Sequence, residues 1–187
     1  MSDELSGKRI AFLVANVGVE QVELERPWRA IQDAGGQPVL VAPADDDVQA
    51  MNHDTELGDT FHPDSTVNSV SADEFDGLVL PGGCVNPDKL RIEPDAMALV
   101  RAFASAGKPI AAICHGPWSL VETGAVKGKT LTSWPSLQTD VRNAGGEWRD
   151  DEVVTCEQQG FTLVTSRKPD DLDAFCATAV GVFARAS

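Results

Sequence analysis

The sequence is short of basic residues and of histidine, and it contains no closely paired cysteines. Lys and Arg number 15 against 29 Asp and Glu, for a formal charge of −14. Such an exterior repels phosphate backbones and anionic lipid headgroups, which excludes nucleic acid and membrane surfaces as partners. It reads as a solvated, self-repelling surface. No stretch approaches the roughly 18 consecutive apolar residues of a membrane helix. The opening nine residues are acidic and polar and lack the apolar run of a secretory signal, so the expected compartment is the cytoplasm. The four cysteines, Cys84, Cys114, Cys156 and Cys176, show no Cys-x-x-Cys spacing, and three histidines do not complete a zinc ligand set. No metal and no cofactor are expected. Asp45, Asp46 and Asp47 read as a solvated turn, because the ligand spacing and glycine of a calcium loop are missing.

What is present suits a globular chain. Hydrophobic residues make up 42% of 187, with Gly and Pro spread along the length, so a single domain over 1–187 is expected. Apolar, β-branched runs at 9–15, 38–42, 76–80 and 108–113 read as strands. Shorter strands are expected at 153–156 and 161–165, turning through Gln158, Gln159 and Gly160. Helical spacing marks 20–34, 94–106, 115–123, 137–144 and 170–184, most of them stopped by glycine. Pro27 should split or kink the first of these. Residues 43–72 are polar and without strong period, fit for a small hairpin or an irregular excursion. Alternating strands and helices imply a mostly parallel sheet covered on both faces.

In such sheets ligands bind beyond the carboxyl ends of the strands, and three motifs converge there. Ala112-Ile113-Cys114-His115-Gly116 is the pattern of a nucleophile elbow, small residues flanking a strand-to-helix turn too sharp for bulk. Cys114 then sits at a helix amino end, where unpaired N–H groups should lower its pKa and favour the thiolate. Pro81-Gly82-Gly83 follows the third strand, so the Gly83 N–H and the N–H of His115 are candidates for an oxyanion hole. His115 is the candidate base, although adjacent side chains usually diverge. His53 and His62 read as surface residues. Glu20 and Glu23 would share a helix face, and a protonated Glu23 could donate a hydrogen bond to the sulfur. Cys156 and Cys176 read as structural. Cys84 follows a strand end as Cys114 does, which suggests a Cys84–Cys114 disulfide under oxidation.

With these motifs assembled, the chain resembles the PfpI family of intracellular cysteine proteases, particularly its bacterial general-stress branch. The resemblance runs from Ala-Phe-Leu-Val-Ala at 11–15 and Val-Glu-Gln-Val-Glu-Leu at 19–24 to Phe-Asp-Gly-Leu-Val-Leu-Pro-Gly-Gly at 75–83. It continues through Asn-Pro-Asp-Lys-Leu-Arg at 86–91, Gly-Lys-Pro-Ile-Ala-Ala-Ile-Cys-His-Gly-Pro-Trp at 107–118 and Thr-Ser-Arg-Lys-Pro-Asp-Asp-Leu at 165–172. It implies a flavodoxin-like three-layer α/β/α sandwich of the class I glutamine amidotransferase type. It also implies a triad of Cys114, His115 and an acid from a neighbouring subunit, at Asp88 by position, where the family's proteases usually carry glutamate. Glu23 matches the family's glutamate beside the cysteine. A homodimer or larger ring follows, with the site at the interface. An outright amidotransferase needs a late His-x-Glu pair, and no histidine follows His115.

Three functions fit these residues. The first is a stress-response cysteine hydrolase acting on peptides or glycated, damaged protein, a peptidase or deglycase. The second is a cofactor-free glyoxalase converting methylglyoxal to lactate through Cys114, with Glu23 or His115 moving protons. The third is a redox-sensing stress protein or chaperone in which Cys114 is oxidised to a sulfinate held by Glu23.

Overall fold

The computed structural model describes residues 3–186. In chain order the elements are β1 (Arg9–Leu13), β2 (Val17–Glu20), α1 (Gln21–Asp33), β3 (Gln37–Ala42), β4 (Val48–Asn52), β5 (Glu56–Phe61) and β6 (Ser65–Thr66). They continue as β7 (Gly77–Leu80), α2 (Val85–Leu90), α3 (Pro94–Ser105), β8 (Ile110–Ile113), α4 (Pro117–Thr123) and β9 (Thr130–Leu131). The chain closes with α5 (Gln138–Asn143), β10 (Glu147–Trp148), β11 (Val153–Cys156), β12 (Leu163–Ser166) and α6 (Leu172–Ala184).

The main sheet has seven strands in the order β11-β12-β8-β7-β1-β3-β6. All neighbours are parallel except β11, which returns antiparallel on β12. Both faces are covered, and β1 shows why its sequence is apolar throughout. Ala11 and Leu13 face a core containing Met97, Val100 and Phe103 of α3, Leu120 of α4 and Val141 of α5. Ile10 and Phe12 face the opposite core, with Leu24 and Ile31 of α1 and Phe175 and Phe183 of α6. Alternate side chains enter different layers, so neither set can be polar. The result is the expected three-layer α/β/α sandwich with a mostly parallel sheet. From β1 the chain builds outward to β3 and β6, then crosses back to β7, β8 and β12. The order therefore reverses between β1 and β7, and a crevice opens beyond their carboxyl ends.

Three local readings change, and the hairpin expected as one alternative within 43–72 is present. First, α1 runs unbroken through Pro27. The proline forfeits one hydrogen bond to the Glu23 carbonyl, and its buried ring is held in place by packing instead. Second, Glu20 is not helical. It ends β2 and caps α1 with extended backbone, φ −66° and ψ 117°. Third, residues 85–90 make the short helix α2, which had no periodic signal of its own. The hairpin is antiparallel over residues 48–61, and β2 adds to it to form a separate three-stranded sheet, β2-β4-β5. Among the described residues no helix is long and apolar enough to cross a membrane.

Candidate active site

The crevice is organised around the end of β8. Cys114 takes φ +60°, the left-handed region that side chains disfavour by roughly 1–2 kcal/mol. Surrounding hydrogen bonds hold it there. The Cys114 N–H donates to the Ser166 carbonyl of β12 at 3.1 Å, and its carbonyl accepts from Trp134 N–H at 2.9 Å. The flanking glycine is a steric necessity, since a Cβ at Gly116 would collide with the Leu80 carbonyl oxygen of β7. The elbow read from the sequence is present, with α4 beginning at Pro117 rather than at His115.

The left-handed turn has a second effect. It swings consecutive side chains to the same side, so Cys114 Sγ lies 3.2 Å from His115 Nδ1. Neighbours in sequence thus meet, contrary to their usual divergence. The imidazole lies between two indoles, Trp118 with centroids 5.2 Å apart and Trp134 at 5.9 Å and nearly parallel. Trp118 is fixed in turn by donating from Nε1 to Asp140 at 2.9 Å. Burial lowers the His115 pKa from its usual 6.5, with the charge of Asp54 opposing that shift. At neutral pH the ring is therefore uncharged and able to accept a proton.

Glu23 is wholly buried. Its Oε2 accepts from Gly82 N–H at 2.9 Å, while Oε1 is buried without a hydrogen-bond partner. Gly82 has no alternative, because a Cβ there would strike both Glu23 Oε2 and the Cys114 Cβ. Burial first, and the nearby Glu20 second, raise the Glu23 pKa to about 8. The carboxyl accordingly keeps its proton at neutral pH near the Cys114 thiol, whose pKa it raises in turn.

The expected lowering of the Cys114 pKa is not found. Burial is the largest cause of a shift in the other direction, and the neighbouring Glu23 adds to it. The Gly83 and His115 amides reach the sulfur and pull the other way without prevailing. The helix that should have helped has seven residues, starts two residues further on, and cannot overcome desolvation of a group only 7% exposed. In the free protein Cys114 is a thiol with an acceptor beside it, not a standing thiolate.

A cavity of about 520 Å³ opens on these groups. Its walls include Cys114, His115, Gly83, Trp134, Lys168 and Asp54. Asp88 is not among them: it is exposed on α2 and makes no contact with His115 within the described chain. Glu20, whose role was open, accepts from the His53 N–H at 3.2 Å and so ties the end of β2 to the tip of the β4–β5 hairpin. His53 is exposed as expected, yet it stands at the cavity mouth; His62 is a surface residue 3.0 Å from Asp47. All four cysteines are free thiols, with Cys156 and Cys176 buried and Cys84 half-buried at the start of α2. No group of three or more His, Cys, Asp or Glu side chains suited to a metal occurs among the described residues. Asp54, Trp134 and Lys168 went unnoticed in the sequence. Trp134 carried a signal in retrospect, an indole in a Ser-Trp-Pro loop with no helical or strand face to occupy.

The family model described as "DJ-1/PfpI family" matches residues 8–181. The chain is 38% identical over 169 residues to YraA of Bacillus subtilis, provisionally named a cysteine protease, covering 90% of this chain and 94% of that protein. It is 39% identical over 167 residues to the protein named deglycase PfpI of Pyrococcus furiosus, covering 89% of this chain and 94% of that one. Among solved structures, Drosophila melanogaster DJ-1beta superposes with a TM-score of 0.82 at 29% identity, over 98% of this chain and 91% of that one. The chain belongs to the DJ-1/PfpI family.

Proposed function

We propose that this member of the DJ-1/PfpI family is a cytoplasmic, stress-response cysteine hydrolase that acts on carbonyl groups of peptides or glycated protein side chains. The observation that carries the reading is the 3.2 Å contact between Cys114 Sγ and a neutral His115 at the floor of a 520 Å³ cavity. When a carbonyl carbon approaches, His115 Nδ1 takes the thiol proton as the sulfur attacks, so charge appears only as the bond forms. The Gly83 and His115 N–H groups, which favour negative charge at the sulfur, are the candidate donors to the oxygen that becomes negative. On a peptide the imidazolium returns its proton to the leaving nitrogen and a thioester remains. On a methylglyoxal adduct the protonated amine leaves from the carbinol carbon as the sulfur bonds to it, and moving that carbon's proton to the neighbouring carbonyl carbon turns the hemithioacetal into a thioester. Water, deprotonated by the same imidazole, then cleaves the thioester and restores the thiol. The relatives named cysteine protease and deglycase support this reading. Asp88, exposed on α2, is free to face a second copy, which supports a homo-oligomer with the site at its interface.

A second reading is a glyoxalase, favoured by the protonated Glu23 carboxyl beside the thiol. There Cys114 would add to the aldehyde of methylglyoxal, and Glu23 or His115 would move the proton between carbons toward lactate.

The test compares three reactions of the purified protein beside Cys114→Ser. They are release of methylglyoxal adducts from acetylated lysine and cysteine, lactate from methylglyoxal, and cleavage of a fluorogenic peptide. Turnover of adducts or peptide, lost in the variant by about 10³-fold or more, supports the hydrolase. Lactate alone moves the assignment to the glyoxalase. Turnover that survives in Cys114→Ser would end both readings.

A further inference from the structure

The acid implied at Asp88 does not reach His115 within the chain, yet another carboxylate does face the site. Asp54 occupies the tip of the β4–β5 hairpin, where His53 and Asp54 both take left-handed backbone, φ 54° and 62°. Two hydrogen bonds pin this tip over the cavity. The His53 N–H donates to Glu20 Oε1 at 3.2 Å, and Asp54 Oδ1 accepts from the Cys84 N–H at 2.6 Å. Cys84 directly follows Gly83, so the second bond fastens the hairpin to the same loop that presents an amide to the sulfur.

The other charged groups around the cavity are Glu20, Glu23, His53, Lys168 and Asp170. Glu23 keeps its proton at neutral pH. Asp170 is neutralised by Lys168 Nζ at 2.8 Å, and Glu20 is engaged by the His53 amide. Among the described residues neither Glu20 nor Asp54 is paired with a cation, and of the two it is Asp54 whose charge acts on His115, in the direction of protonation.

We propose that Asp54 is the positioning carboxylate of this site, its charge stabilising the imidazolium formed when His115 accepts the Cys114 proton. The proposal rests on the Cys114–His115 reading above. It makes the hairpin part of the catalytic apparatus, with a carboxylate supplied in cis from a turn.

The experiment is the rate of Cys114 alkylation by iodoacetamide across pH 5.5–9, read at that cysteine by mass spectrometry in the full chain. It needs no substrate. Asp54→Asn keeps an oxygen for the Cys84 amide but removes the charge, and should slow alkylation at pH 7 by about three- to tenfold. Asp54→Glu should recover most of the rate. Asp54→Asn alkylating like the parent at every pH would overturn the proposal, as would Asp54→Glu as slow as Asp54→Asn. His115→Ala serves as the reference. If it alkylates like the parent, the Cys114–His115 pair itself is wrong. If it is slow while Asp54→Asn is unaffected, only the role of Asp54 falls.

Discussion

Replacing Glu23 by Gln should make the protein more stable, and increasingly so as the pH rises from 4.5 to 8. In the folded chain the carboxyl titrates near 8, chiefly through burial and then through Glu20, against about 4.5 when unfolded. Below pH 4.5 it is protonated in both states and contributes nothing. Between the two values the unfolded chain releases the proton while the native chain retains it. The native state then binds more protons, and stability falls with rising pH. Above 8 both forms ionise and the deficit levels off. Each tenfold in proton affinity corresponds to about 1.4 kcal/mol, which makes the deficit roughly 3 kcal/mol at pH 7. Glutamine is the uncharged isostere of the protonated acid and keeps an oxygen for the Gly82 amide. It removes the ionisation and little else. Thermal unfolding of parent and Glu23→Gln at pH 4.5, 6 and 7.5 should show curves that coincide at the lowest pH. They should separate by about 8–16 °C at the highest, where the deficit reaches roughly 4 kcal/mol, given 2–4 °C per kcal/mol at this chain length. The many other carboxylates are common to both proteins and cancel in the comparison. A gap that does not grow with pH, or a parent more stable than the variant at pH 7.5, would refute a protonated Glu23.

Gly116→Ala should lower the urea midpoint by the equivalent of 2–3 kcal/mol or more, because its new methyl group meets the Leu80 carbonyl and not a movable side chain. An unchanged midpoint would show that the elbow can relax. Lys129 is 1% exposed and donates to the carbonyls of Cys156, Gln158 and Phe161, with its Nζ 3.6 Å from the centroid of the Phe161 ring. Lys129→Met should therefore cost about 2–4 kcal/mol in urea unfolding, through buried carbonyls left without a donor. A neutral result would mean that those carbonyls find other partners.

The sandwich was legible because its signals are local and redundant. Apolar runs of four to seven residues alternate with helical spacing, and glycine stops such as Gly35 and Gly124 mark the helix ends. Cys114, Gly116 and Gly83 could be read as a site because one sharp turn imposes small residues at fixed offsets. What escaped depends on contacts between distant segments. The strand β2 exists because 17–20 pair with 49–51, an edge no run of four residues announces. Pro27 stays helical only because tertiary packing outweighs the lost hydrogen bond. Asp54 reaches the site from 30 residues before Cys84, through a hairpin whose His-Asp turn lacks the glycine that ordinarily marks one.

The thiol pKa illustrates the same limit with a consequence for mechanism. Read locally, a cysteine at a strand-to-helix turn gains stabilising N–H groups, and the chain does supply the Gly83 and His115 amides. Read in three dimensions, that cysteine is also desolvated on a chain of charge −14 and lies beside the Glu23 carboxyl. Every one of those factors opposes a second negative charge. A standing thiolate would then have to be stabilised against the whole protein. A neutral thiol, a neutral imidazole and a protonated Glu23 avoid that cost, and place charge in the cavity only during attack, as a thiolate–imidazolium pair with no net charge. The Asp54 carboxylate in the cavity wall favours the imidazolium half of that pair. Burial thus holds Cys114 in reserve without substrate, and the Asp54 charge assists proton transfer to His115 once a carbonyl is in place.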